Sequence, residues 1–372
     1  MDDAYFLYHS IGQYPGKAAA LARIMADFAA VWGAADDAQW GWILSRRAAF
    51  VDRWRAILNA PEASVTTCEN VTQGLSMLMT ALPPAALKGK RVLVAADCFP
   101  SNHFLLTRLQ DRLGFTLDTV PLRQGAAWVE DEDIRARWGA DVGLALLTWV
   151  SSTTSHRIDL PALMAHGRQM GSIIGVDVTQ GAGLLPFDVT EPAVDFTLST
   201  SLKWMCGTPG AGILHVAPPL IARSAPELCG WFSQPDPFNW ALDRFSYAPD
   251  IRRFDNGTPG CVAAIASLPA LDWHAGQDGA AILAQNRRQT AAIIEAADAL
   301  GLDLVTPRSE AARGGSVMLR LNRPAAEVVV ALRADGIATD GRGPILRASP
   351  GIITSDAGVQ ALVEGLARHA RG

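Results

Sequence analysis

Short apolar runs that alternate with helical segments constrain the fold of this chain more than any other feature of its sequence. The runs end abruptly in polar or turn-forming residues, and they are RVLVAADCFP (91–100), VGLALLTWVSSTT (142–154), SIIGVDVTQGAG (172–183), DFTLSTSLKW (195–204) and AGILHV (211–216). Between two of them, DLPALMAHGRQMG (159–171) begins with an Asp cap and a first-turn Pro and stops at Gly, as a helix does. Strands alternating with helices predict an α/β fold whose mostly parallel sheet is covered on both faces.

The chain is longer than one domain usually is, and its predicted pattern of helices and strands changes along its length. Its 372 residues predict a large domain over 46–265 and a small α+β domain over 266–372. The small domain combines helical patterns with the short strands GGSVMLRL and ILRAS. Residues 1–45 are helical and rich in Trp, and we expect them to pack with the small domain.

Composition and charge exclude several classes of partner. The chain is 49% hydrophobic and 19% charged with a net charge of −5, so we expect no nucleic-acid partner. No apolar stretch approaches the ~20 residues of a membrane span, so we expect no membrane partner. The N-terminal residues lack the apolar core of a signal peptide, which predicts a cytoplasmic location. The five Cys and seven His show no metal-ligand spacing, which predicts no metal site.

Asp177 and Lys203 are the two residues whose positions most strongly suggest chemistry. Asp177 closes a buried apolar strand, and Lys203 lies just past the end of the next one. Asp177 could simply cap the following loop, but a buried carboxylate also suits a cationic ligand. Pyridoxal phosphate (PLP) enzymes need this arrangement: the lysine forms a Schiff base with the cofactor's aldehyde, and the acid keeps the pyridine nitrogen protonated.

Two further segments fit the same cofactor. ENVTQGLSMLMTAL (69–82) places Val71 and Thr72 at the start of an apolar helix, where backbone N–H groups suit a phosphate, although a plain helix cap has the same pattern. Phe99, in DCFPSNHF (97–104), follows a strand directly. Its ring either packs in the core or stacks on a cofactor at the carboxyl edge of the sheet.

In their order and spacing, the motifs of this chain resemble those of fold-type I PLP enzymes of the class V aminotransferase group, and within it kynureninases. The likeness runs from YHSIGQYP to the final helix, with the landmarks ENVTQGLSMLM, FPSN, VDVTQGAG, STSLKWMCGTPGAG, GWF, RRFDNGTP and DGRGPILRASP. It implies PLP-transferase fold type I, with a mostly parallel seven-stranded sheet, helices on both faces and a small α+β domain. It also implies an enzyme that acts on an amino acid.

The resemblance assigns roles to individual residues. Lys203 and Asp177 would be catalytic, Arg347 would clamp the substrate's carboxylate, and Arg342 would assist it. The residues implied to bind the cofactor are Val71, Thr72, Phe99, Thr148, Asp177, Gln180, Ser201 or Thr200, Lys203, Trp231 and Thr258. Thr258 would reach the phosphate of the neighbouring subunit, which implies a homodimer with shared sites. His9 is expected to pack in the core or at the surface, and the alternative is that it reaches the site from the N-terminal segment.

The sequence departs from the kynureninase pattern at three positions and leaves the reaction open. Leu202 stands where kynureninases carry Tyr and many relatives His, Asn102 replaces the acid of the FPSD-type turn, and Gln180 replaces His. The chain therefore suits a kynureninase-like hydrolase that cleaves Cβ–Cγ, or a class V aminotransferase or β-lyase on another amino acid. A cysteine desulfurase is disfavoured because no cysteine follows Cys261.

A nucleotide-binding oxidoreductase is the remote alternative. GAG (181–183) and GTPGAG (207–212) do not fit G-x-G-x-x-G after a first strand, and no acid follows at the expected distance of about 20 residues.

Overall fold

The computed structural model of the chain describes residues 3–370 and places the apolar runs in one seven-stranded sheet. The strands are β1 (Val65–Cys68), β2 (Arg91–Ala95), β3 (Thr116–Val120), β4 (Val142–Thr148), β5 (Ile173–Asp177), β6 (Phe196–Thr200) and β7 (Gly212–Val216). Their order across the sheet is β1-β7-β6-β5-β4-β2-β3. Strand β7 runs antiparallel to β1 and β6, and the remaining neighbours are parallel. The predicted mostly parallel sheet is confirmed.

Helices cover both faces of this sheet. They are α1 (Lys17–Trp32), α2 (Gln39–Leu58), α3 (Val71–Met79), α4 (Pro84–Leu87), α5 (Pro100–Leu113), α6 (Asp131–Arg137), α7 (Leu160–Met170), α8 (Pro218–Arg223) and α9 (Val262–Ala275). Successive residues of β4 enter different cores: Leu144 and Leu146 join one apolar cluster, whereas Ala145 and Leu147 join the other. Because side chains alternate along a strand, this pattern shows that β4 is buried on both sides.

Local chemistry sets the ends of α7 as the sequence predicts. The side chain of Asp159 accepts the N–H of Ala162 at 3.1 Å, and Gly171 closes the helix in the left-handed region at φ 76°. These contacts satisfy backbone groups that the helix leaves unpaired at its ends. They fix where the chain enters β5, and therefore where Asp177 lies.

The C-terminal part forms the predicted small α+β unit. Its sheet has the order β10-β11-β9-β8 and antiparallel pairing throughout. Its elements are α10 (Gly279–Leu300), β8 (Asp303–Leu304), β9 (Val317–Arg320), α11 (Ala325–Ala334), β10 (Asp340–Arg342), β11 (Ile345–Ala348) and α12 (Asp356–His369). Ile293, Leu319 and Leu362 belong to its separate apolar core.

The N-terminal residues run alongside the small sheet before entering α1. Tyr5 pairs with Ala338 and Leu7 with Ser349 in parallel bridges, and Phe6 is buried in the small unit's core. Helices α1 and α2 then pack on α9. The predicted boundaries after residues 45 and 265 fall inside α2 and α9, and the division into domains stays a prediction.

Across residues 3–370, no helix combines the length and the apolar character that crossing a membrane requires.

Candidate active site

Three neighbouring strands end in polar residues at one edge of the large sheet. Thr148 at the end of β4 lies directly beside Asp177 at the end of β5, and β6 ends next to them at Thr200. Ligands of parallel sheets bind at such carboxyl edges. A cavity of about 500 Å³ opens here, and it is lined by Asn70, Val71, Thr72, Phe99, Ser101, Thr148, Val150, Ser152, Asp177, Thr179, Gln180, Thr200, Leu202 and Lys203.

Lys203 projects into this cavity from the loop that follows β6. Its Nζ lies 5.4 Å from the centroid of the Phe99 ring. Burial lowers the pKa of Lys203 to about 8, Asp177 opposes that change, and the charges of Arg347 and Arg342 reinforce it. A lysine with this pKa is partly neutral near pH 7, which makes it a nucleophile and a base.

The loop of Lys203 is held against the N-terminal segment. Gly12 donates its N–H to the carbonyl of Leu202 at 2.9 Å. A Cβ atom on Gly12 would lie 1.9 Å from the carbonyl oxygen of Lys203 and 2.8 Å from Sγ of Cys206. Only glycine permits this approach, so the segment and the loop fix each other's position.

Asp177 is buried, and its hydrogen-bond donors within residues 3–370 are all neutral. Its Oδ1 accepts the N–H of Thr179 at 3.0 Å, and its Oδ2 accepts the side-chain amide of Asn102 at 3.1 Å. A buried carboxylate without a bonded cation suits a ligand that brings a cationic N–H. A protonated pyridine nitrogen is such a group.

Unpartnered polar atoms surround Asp177. Oγ1 of Thr148, Oγ1 of Thr179 and Oδ1 of Asn102 are buried without a hydrogen-bond partner among the described residues. Since buried polar atoms are nearly always bonded in proteins, three together at one carboxylate indicate a polar ligand. The residues present therefore fit a pyridine ring held between Asp177 and Lys203.

The start of α3 offers donors at another wall of the cavity. Asn70 caps the helix by accepting the N–H of Gln73 at 2.9 Å. The first N–H groups of a helix have no acceptor inside it, and those of Val71 and Thr72 belong to this set. This wall of the cavity, at the start of α3, therefore offers N–H donors that can bind a phosphate.

Two of the predicted cofactor-binding residues, Gln180 and Ser201, form hydrogen bonds with other residues of the chain. Gln180 lines the cavity, donates to the carbonyl of His9 at 3.0 Å and lies 3.4 Å from Nε1 of Trp204. Ser201 lies outside the cavity, because its hydroxyl donates to the carbonyl of Ala211 and accepts from Trp54. Thr200, the alternative to Ser201, is the one that lines the cavity.

The predicted substrate arginines lie on the β10–β11 hairpin. Arg347 is buried and donates to both carboxylate oxygens of Asp340, with Nε 2.7 Å from Oδ1. Burial alone would raise the pKa of Asp340, but the hydrogen bonds from His9 and Arg347 lower it to about 2. Arg342 is exposed at the end of β10.

The remaining two predicted residues lie away from the cavity within one chain. Trp231 stacks on Trp240 with centroids 6.2 Å apart, in a surface aromatic group that includes Phe238. Thr258 lines a separate cavity of about 410 Å³ beside Arg47. Thr258 is predicted to reach the phosphate of a partner subunit, Trp231 is predicted to lie beside the cofactor, and both roles stay predictions.

Sequence reasoning missed several residues of this region. Thr179 was not singled out, although it lies two residues beyond Asp177 in the same strand-end loop. Asp340 was overlooked because its pairing depends on the register of a hairpin, which sets it directly opposite Arg347. His9 is buried beside Asp340 through a contact that spans most of the chain.

The chain resembles known proteins in sequence and in fold. A family model described as Aminotransferase class-V matches residues 51–345. The kynureninase of Deinococcus radiodurans is 32% identical in an alignment of 268 residues that covers 70% of this chain and 63% of that protein. The kynureninase of Pseudomonas fluorescens is 28% identical in an alignment of 352 residues that covers 90% of this chain and 81% of that protein. The chain thus spans less than two thirds of the Deinococcus protein.

A solved structure shares the whole fold at low sequence identity. It is a mutant of C-DES with glycine covalently linked to its PLP cofactor. The TM-score is 0.88 at 19% identity, over 99% of this chain and 97% of that one.

Proposed function

The chain belongs to the class V aminotransferase family, and from this premise we propose that it hydrolyses the Cβ–Cγ bond of a kynurenine-type amino acid. The similarity to two kynureninases supports the substrate class. In this reaction the oxygen of water forms a bond to Cγ, which leaves as an aromatic carboxylic acid. The Cβ–Cγ bond breaks, one proton passes to Cβ, and alanine is the second product.

PLP is the cofactor that this family and these relatives imply. When bound, it supplies an electron sink for negative charge that develops on the amino acid. The single observation that carries the assignment is that Lys203 and Asp177 line one cavity, where three buried polar side-chain atoms lack hydrogen-bond partners among residues 3–370. Lys203 would hold the cofactor covalently, Asp177 would accept its ring N–H, and the start of α3 would bind its phosphate.

Different side chains of this chain would bind the substrate, transfer its proton and exclude water. Arg347 would bind the carboxylate by a charge-assisted hydrogen bond, which orients the amino acid over Lys203. Lys203, with its pKa lowered to about 8 by burial, would take and return the proton at Cα. Phe99 would pack on the cofactor ring and exclude water from one face.

A class V aminotransferase or a β-lyase is the second candidate, and Leu202 is the observation that favours it. Its apolar side chain lines the cavity beside Lys203, and none of the lining residues is His or Tyr. Transamination and β-elimination need little beyond the lysine and the electron sink, whereas hydrolysis also needs an activated water. The hydrolase, the aminotransferase and the β-lyase form different products, and product analysis distinguishes them.

The test is product analysis with cofactor-loaded protein. Incubation with L-kynurenine or 3-hydroxykynurenine should release alanine and the matching anthranilate, and Lys203→Ala should release neither. If no anthranilate forms while other amino acids yield keto acids, the aminotransferase or lyase proposal replaces the hydrolase.

A homodimer with shared sites is part of the proposal. Thr258 lines a cavity beside Arg47, and the surface side chains of Phe238 and Trp240 are 70% and 73% exposed near Trp231. Such an exposed aromatic group supports a contact with a second copy. The cytoplasmic location expected from the sequence stays a prediction.

A further inference from the structure

A buried polar cluster joins the N-terminal segment to the hairpin that carries Arg347. Nε2 of His9 lies 2.9 Å from Oδ1 of Asp340, and Asp340 in turn accepts two hydrogen bonds from Arg347. We propose that His9 and Asp340 are positioning residues that hold Arg347 as the receptor for the substrate's carboxylate. This inference rests on the proposed function, which gives Arg347 that task.

The planar guanidinium of Arg347 has a second edge that Asp340 does not occupy. Asp340 occupies the edge formed by Nε and Nη2 of Arg347. Arginine has five N–H donors in a planar fork, so the edge formed by Nη1 and the second hydrogen of Nη2 remains. No acceptor for Nη1 is present among residues 3–370. That edge can pair with a second carboxylate while Asp340 keeps the side chain from rotating.

His9 is itself fixed from two directions. Its Nδ1 lies 2.6 Å from Oγ of Ser349, and its carbonyl accepts the amide of Gln180, which lines the cavity. His9 is 2% exposed, whereas the side chain of Asp340 is 30% exposed. Without His9, Asp340 would lose a buried donor and could turn toward water. Arg347 would then lose the partner that orients it.

Burial, reinforced by two nearby cations, favours the neutral form of His9. Burial lowers the pKa of His9, the hydrogen bond with Asp340 opposes that change, and the positive charges of Arg347 and Lys203 reinforce it. A neutral ring can still donate one N–H to Asp340. A neutral His9 therefore donates to the Asp340 carboxylate without adding a positive charge that would compete with Arg347 for Asp340.

Strand alternation places one more cation near this cluster. Asp340 and Arg342 are two residues apart on β10, so their side chains share one face of the small sheet. Arg347 lies opposite Asp340 in the register and shares that face. Arg347 and Asp340 cancel in charge, so Arg342 leaves this face with a net positive charge that favours an anion.

The test compares an acid with its amide on PLP-loaded protein. L-alanine and L-alaninamide differ only in the carboxylate that Arg347 would bind, and both are titrated through the cofactor's visible absorption. The wild type should bind the acid more tightly. His9→Ala should reduce the ratio of the two affinities about tenfold, the equivalent of one charge-assisted hydrogen bond. His9→Gln retains an N–H donor and should recover part of the ratio.

His369 provides the matched control, because it also pairs with an aspartate, Asp335, at 2.9 Å. It lies at the end of α12 away from the cavity, so His369→Ala should leave the ratio unchanged. The visible absorption of bound PLP shows, independently of the affinity ratio, that each variant folds and binds the cofactor. If His9→Ala fails to load, His9→Gln and Asp340→Asn carry the test, and both should lower the ratio.

A wild type that does not discriminate the acid from the amide would overturn the inference. So would variants of His9 and Asp340 that load PLP and keep the wild-type ratio. Kynurenine turnover is measured separately. A protein that binds the acid more tightly than the amide but forms no anthranilate would support the positioning role of His9 and Asp340 and contradict the hydrolase proposal.

Discussion

The side-chain amide of Asn102 donates a 3.1 Å hydrogen bond to Oδ2 of Asp177 at the carboxyl edge of the sheet. Asn102 is fully buried on α5, and it stands where related sequences are expected to carry an acid. A neutral donor at this position stabilises the Asp177 carboxylate without placing a second negative charge beside it.

Asn102→Asp should make the stability of the cofactor-free protein depend on pH. Two buried carboxylates about 3 Å apart cannot both ionise readily, so one of them acquires a raised pKa. A raised folded-state pKa means that the folded state binds more protons, and stability then falls as pH rises above about 4. Urea unfolding at pH 5 and pH 8 measures this fall relative to the wild type.

Asn102→Ala is the control for that experiment. It removes a hydrogen bond to a charged group and should cost about 1.5–3 kcal/mol. An Asn102→Asp variant whose loss is the same at pH 5 and pH 8 would show that Asn102 does not face an ionised Asp177.

Lys203→Met should stabilise the cofactor-free protein at neutral pH. Burial lowers the pKa of Lys203 from 10.5 to about 8, so between these values the unfolded chain binds more protons and wild-type stability rises with pH. Since one pKa unit corresponds to about 1.4 kcal/mol, the variant should gain at most about 3 kcal/mol at pH 7. Urea unfolding from pH 7 to pH 10.5 should show the gain shrinking, and a gain constant over that range would contradict the lowered pKa of Lys203.

Gly12→Ala should destabilise the protein and weaken PLP binding together. The added Cβ would lie 1.9 Å from the carbonyl of Lys203, so the N-terminal segment or the lysine loop must shift. Overpacking of this kind costs about 1–3 kcal/mol. Gly41→Ala is the matched control, because Gly41 is in α2 with open space around it and Ala favours helices. Equal thermal midpoints and PLP affinities for the two variants would refute the close contact.

Thr258→Glu and Lys203→Ala should each fail to hold PLP covalently and should complement each other when mixed. If Thr258 reaches the partner's phosphate, one site of each mixed dimer combines an intact Thr258 with an intact Lys203. Random pairing of the two variants then restores about a quarter of the sites. The visible absorption of the bound cofactor after unfolding and refolding the mixture measures this fraction. Thr258→Glu protein that loads normally would remove Thr258 from the phosphate site.

The sequence predicted the centre of the large sheet better than its edges. Strands β4 and β5 are apolar runs buried on both faces, and such runs stand out in a sequence. Strands β1 and β3 lie at the two edges and escaped notice. They carry Thr66, Thr67, Thr116 and Asp118, which interrupt the apolar pattern. Thr66 and Asp118 are nevertheless buried, and each is bonded to a side chain outside its own strand, Asp255 and Arg91.

The site divides in a similar way. Asp177, Phe99 and Lys203 could be predicted because Asp177 ends a strand and the other two follow one closely, where local sequence fixes the direction of the chain. The pairing of His9 with Asp340 could not, because it joins residues 331 positions apart and depends on how the N-terminal segment runs beside the small sheet. Contacts of that kind follow from packing between elements rather than from local pattern.

The covalent attachment of PLP at Lys203 is the central claim, and the chain's composition allows a direct test of it. The chain has four lysines, Lys17, Lys88, Lys90 and Lys203. Among them, Lys17 is a demanding internal control, because it is half-buried, burial lowers its pKa, and its Nζ donates to the carbonyl of Gly12. Borohydride reduction of the PLP-loaded protein, followed by peptide mass mapping, should place the cofactor on the peptide that contains Lys203. A label on any other lysine, or an unlabelled Lys203 peptide after loading with excess PLP, would contradict the account.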